Sequence, residues 1–171
     1  MTGLTSFFLV LQAVGAGVGV ISAVWAEFAY VRAMRDGRVD AAERLHLDTI
    51  ALGLRYGMLL LLVSSLSLVI LAYGAGTAVA PATTSGYWSF MALALLVIVL
   101  ASTLSRRRLS FSLASAAIFT GWWFLLYIAL GRLPAMTFGG SVALFLIAAT
   151  LLYGVLYSAR IYAAKPLIPK S

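Results

Sequence analysis

Apolar and polar positions in this chain come in blocks rather than in alternation. Five apolar runs, about 7–26, 49–73, 88–104, 109–130 and 138–157, are separated by short polar or glycine- and proline-containing stretches. Each is close to the roughly 20 residues a helix needs to cross a bilayer core. None shows the period-two pattern of strands, and a backbone in lipid must satisfy its own hydrogen bonds. The pattern therefore predicts an all-α fold, a single polytopic transmembrane bundle of five spans over residues 1–171.

Polar residues inside the runs are few. In the first run Gly15, Gly19, Ser22 and Ala26 recur at i, i+4, i+7 and i+11, a stripe of small side chains that lets another helix approach closely. That face serves packing within the monomer first, with a homo-oligomer as the alternative. Gln12, the only amide in the chain, lies in the half of the same run nearer the N-terminus. An amide in lipid needs a partner, either a hydroxyl on a neighbouring helix or a polar path. The N-terminal segment lacks a basic start, and its apolar stretch outlasts a signal-peptide core, so it reads as a retained span.

The polar blocks are unequal. All five acidic residues, Glu27, Asp36, Asp40, Glu43 and Asp48, lie between Glu27 and Asp48, with the only histidine, His46, and four arginines. Asp36-Gly37 signals a turn. Asp40 with Glu43 is an acidic capping box that starts the second helix near Ala41, well before its hydrophobic part; the polar connection between the two spans covers about 33–45. Arg55 is the one charge within the second run, near enough to its end for the side chain to snorkel. Gly131-Arg132-Leu133-Pro134 closes the fourth run.

Lys and Arg fall on alternate sides. Arg32, Arg35, Arg38, Arg44, Arg106 to Arg108, Arg160, Lys165 and Lys170 share one side, and Arg132 stands on the other. The positive-inside bias then puts the N-terminus outside and the C-terminus in the cytoplasm.

Composition agrees with the pattern: 63% of residues are hydrophobic and 10% charged, against about 50% and 25% in a soluble domain. The net charge of +7 flanks apolar runs, which points to lipid headgroups and not to nucleic acid. There are no cysteines, so disulfides and thiolate chemistry are excluded.

Candidate chemistry concentrates in Glu27, His46, Asp48 and Arg55. If the first two helices form a hairpin, Glu27 reaches His46 or Arg55. A carboxylate beside a histidine relays protons, whereas a Glu27–Arg55 pair would only close the hairpin at headgroup level. No metal-ligand spacing is present, and a haem would have one histidine and a methionine, or His46 from two copies. No cofactor is expected. Phosphate-binding and nucleophile motifs are absent too.

QAVGAGVGVISAVWAEFAYVRAMRDGRVDAAE, residues 12–43, with the long apolar helix after it resembles the opening of small prokaryotic multi-span membrane proteins of unassigned function, over roughly residues 8–72. More distantly it resembles the hairpins of copper-resistance-D-type membrane proteins. That type often has a histidine in the first span, about where Gln12 stands, so the resemblance brings no metal or haem residue to this chain. It implies a prokaryotic inner membrane as the setting. The expected function is that of a non-enzymatic accessory or assembly subunit, alone or in a larger membrane complex, with the charged loop as contact surface. The alternatives are a small oligomeric permease or channel, and a haem- or metal-binding redox protein using His46.

Overall fold

The computed structural model describes residues 2–36, 41–76, 84–105, 111–133 and 136–164. They form five helices: α1 (Thr2–Asp36), α2 (Ala41–Gly74), α3 (Ser85–Ser105), α4 (Phe111–Ala129) and α5 (Phe138–Ala164). Each holds a stretch long and apolar enough to span a bilayer, so this is a multi-span helical membrane protein. The Arg106 to Arg108 turn, Pro134 and the Lys165–Lys170 tail lie outside the described residues, as do residues 37–40 and the side chains at 33–36 and 41–47.

Local signals set the helix ends. The Thr84 hydroxyl accepts from the Tyr87 amide at 3.3 Å, and Thr137 accepts from Gly140 at 3.2 Å. These N-caps start α3 and α5 by satisfying amides that have no carbonyl one turn back. Past α4, Gly131 takes φ 63°, a left-handed conformation that is cheap only without a Cβ. Its amide bonds the Ile128 carbonyl, and the Arg132 amide reaches back to Tyr127. That paired reversal ends the helix.

Helices consecutive along the chain run antiparallel. The Ser85 hydroxyl donates to the Met136 carbonyl at 3.2 Å, which brings the starts of α3 and α5 to one end of the bundle. The start of α1 is at that end as well, because Thr5 and Thr84 line one crevice there. The ends of α1 and α5 and the start of α4 meet at the opposite, charged end.

At the centre α1 packs on α4. Helix α2 lies against α1, while α3 and α5 flank α4. In lipid, helix association rests on close van der Waals fit, since hydrocarbon surrounds the bundle anyway. Glycines supply that fit. A Cβ on Gly57 would stand 2.8 Å from the Gly15 carbonyl oxygen and 3.0 Å from the Gly19 nitrogen, so α1 and α2 touch backbone to backbone. Gly53 faces Ser22 one turn along, and Gly19 also receives the indole of Trp122 from α4. The stripe of Gly15, Gly19 and Ser22 thus meets α2 and α4 within one chain, and Ala26 continues it half-buried. Ala16, Leu61, Ala94, Trp122 and Leu125 are buried between the helices.

Candidate functional site

Two polar places stand out, one at each end. At the charged end Glu27 is buried to 12% exposure and Arg160 to 5%. Arg160 Nη2 donates to Glu27 Oε2 at 2.6 Å and to Oε1 at 2.8 Å, and Nε donates to Oε2 at 3.2 Å. The rest of the guanidinium is used as well. Nη1 donates to the Ser112 carbonyl at 3.3 Å and Nη2 to the Ser115 hydroxyl at 2.7 Å. The Arg160 Cζ lies 5.0 Å from the centroid of the Tyr30 ring, a favourable place for a cation.

Sequence spacing explains the assembly. Glu27 and Tyr30 are three apart on α1, as are Ser112 and Ser115 on α4, so each pair shares a helix face. Arg160 enters between them from α5. One planar cation thereby fastens three helices, through the fork geometry by which arginine grips a carboxylate. A charge this buried is tolerable only when paired and hydrogen-bonded, and here both conditions hold.

Among the described side chains the partner of Glu27 is Arg160 and not the expected Arg55. The reason is register. With Gly53 facing Ser22 and Gly57 between Gly15 and Gly19, Glu27 stands about level with Asp48. Arg55 is then near the level of Val20, about 10 Å along the helix axis from the carboxylate. Both Asp48 and Arg55 are exposed on the bundle surface. Helical side chains lean toward the start of their helix, which for Arg55 is the direction of the charged end. His46 lies on α2, but its side chain is outside the described residues. Among the described residues no group of three or more His, Asp and Glu could hold a metal.

Arg160 was legible only as one of the charges that set topology. A weak signal does exist: it stands among Ala159, Ile161 and Tyr162, apart from any charge cluster.

The second place lies toward the other end. Gln12 and Ser65 line a crevice of about 470 Å³ between the α1–α2 hairpin and the start of α3. Leu9, Leu68, Leu71, Phe90 and Ile128 supply its apolar walls. Between this crevice and Glu27 the interior is closed by the Gly15–Gly57 contact and by Trp122, 1% exposed. Two hydroxyls of the apolar core bond to their own helices: Ser64 to Leu60 at 2.6 Å and Thr120 to Ala116 at 2.7 Å. The bundle has a polar group near each end and hydrocarbon between.

No protein-family model, no curated protein and no solved structure matches this chain. What is established is the class: a five-helix membrane protein whose described residues show no catalytic or metal-binding motif.

Proposed function

We propose that the protein is a non-enzymatic accessory or assembly subunit of a larger membrane complex, docking through the charged α1–α2 hairpin on the cytoplasmic side. The observation that carries this is the projection of that hairpin. Helix α1 runs on from Glu27 to Asp36, and α2 begins at Ala41, seven residues before the level of Glu27. Helix α4 starts at Phe111, next to the Ser112 that Arg160 binds. The two longest helices therefore extend about 10 Å beyond the start of α4 at the charged end. The stretch from Arg32 to Asp48 holds eight of the chain's 17 charged residues and four of its five acidic ones. Arg32 and Asp48 on this projection are exposed.

The bias of Lys and Arg supports a cytoplasmic position for this end. The likeness of the first hairpin to prokaryotic multi-span proteins supports a prokaryotic cell membrane. The interior favours docking over transport: a permease made from this chain would need its path between copies, since Trp122 and the Gly15–Gly57 contact close the monomer.

The test is native electrophoresis of gently solubilised membranes. The wild type is expected in a species well above its own mass. Replacing Arg35, Asp36, Arg38 and Asp40 together by serine should release the 18.2 kDa chain from that species without lowering its thermal stability. An unchanged complex would overturn the docking role of the hairpin.

A further inference from the structure

The crevice near Gln12 has the size and lining of a small-molecule pocket. Its volume of about 470 Å³ falls within the roughly 300–1,000 Å³ of small-molecule pockets, which are likewise mostly apolar with a few placed polar groups. No charged residue is among the described residues that line it. Helix α2 packs on α1 and leaves α3 standing off, so the space between α2 and α3 is open to the lipid phase.

Two polar side chains in it are not used by the fold. Ser64 and Ser67 donate to carbonyls of their own helix, at 2.6 and 2.8 Å. Ser65, between them and only 3% exposed, makes no such bond among the described residues. The Gln12 amide, half-buried on α1, has no hydrogen-bond partner there either. A carboxamide and a hydroxyl left unbonded in hydrocarbon are costly, and membrane proteins satisfy such groups. The α1–α2 register puts the two within about one helical turn of each other in depth. Both are about 13 Å along their helices from the Gly3 and Gly74 ends, below the headgroup level.

We propose that this crevice binds a neutral membrane-phase lipid whose polar end carries carbonyl or hydroxyl oxygens, held by Gln12 and Ser65. The amide donates and accepts, and the hydroxyl does both, so either kind of oxygen is served. The described lining holds no charge to match an ionic head, and its leucine, isoleucine and phenylalanine walls suit an acyl or isoprenoid chain. Quinone-headed isoprenoids and diglycerides share this chemistry.

The experiment is purification in mild detergent, followed by native mass spectrometry and lipid extraction. The wild type should retain near-stoichiometric neutral lipid. Ultraviolet absorption of the extract distinguishes a quinone from a glyceride, and either one supports the site. Gln12→Leu and the crevice-filling Leu68→Trp should each lower retention at least tenfold. The melting temperature of Gln12→Leu should be no lower than that of the wild type. If Gln12→Leu does not accumulate, Ser65→Ala provides the same readout with a several-fold loss. Neutral lipid no richer than in the bulk membrane, phospholipid alone, or equal retention in wild type and variants would overturn the proposal.

Discussion

The indole of Trp122 on α4 occupies the space where a Cβ on Gly19 of α1 would stand. This contact joins the two central helices and closes the interior between the polar groups near its ends. An added methyl at Gly19 must push the ring aside. Gly19→Ala should therefore cost about 1–3 kcal/mol, the usual range for overpacking. Trp122→Ala should cost about 3–5 kcal/mol by leaving a cavity. Thermal unfolding in detergent measures both, and a red shift in tryptophan emission should accompany Gly19→Ala.

The second expectation contrasts two glycines. A Cβ on Gly57 meets backbone of α1 at 2.8 Å, whereas one on Gly17 meets nothing within 4 Å. Gly57→Ala should separate α1 from α2 and lower the melting temperature, because backbone cannot turn away as a side chain can. Gly17→Ala should be neutral or stabilising by about 0.5–1 kcal/mol, since alanine restricts the unfolded chain and favours helix. Equal effects from the two would show that α1 and α2 do not meet at Gly57.

The five helices and the start of α2 near Ala41 were legible because run length and turn chemistry are local. The tight face of α1 was legible from the spacing of Gly15, Gly19 and Ser22. The partner of Glu27 was not. Pairing across 133 residues depends on which helix completes the bundle, and no spacing encodes that. Nearness in sequence favoured Arg55, but the glycine contacts fix a register that moves Arg55 away. The crevice was hidden for a similar reason. Gln12 was visible as an amide in need of a partner, yet the failure of Ser65 to bond its own helix is a property of the folded backbone.

Arg55 gives a third expectation. It is exposed on α2 and about 10 Å along the axis from the Glu27 level. Arg55→Leu should therefore leave bundle stability unchanged or raise it, by relieving a cation at the lipid face. A loss of several kcal/mol in thermal unfolding would mean that Arg55 holds a partner inside the bundle.

Topology gives the fourth. Ser85 and Ser105 stand at opposite ends of α3. Single cysteines there, in a chain with none of its own, should react with a membrane-impermeant maleimide from opposite faces, Ser85→Cys from outside intact cells. Labelling of both from one face would remove the five-span arrangement.

The Glu27–Arg160 pair assigns the buried charges among the described residues to architecture. A double-mutant cycle on unfolding in mild detergent measures it directly. Arg160→Leu alone leaves a buried carboxylate unpaired and should cost about 3–5 kcal/mol. Combined with Glu27→Gln it should cost clearly less than the sum of the single changes, with a coupling of about 1–3 kcal/mol. Additive losses would contradict the account, for they would mean that the two residues do not meet and that Glu27 is free for another task.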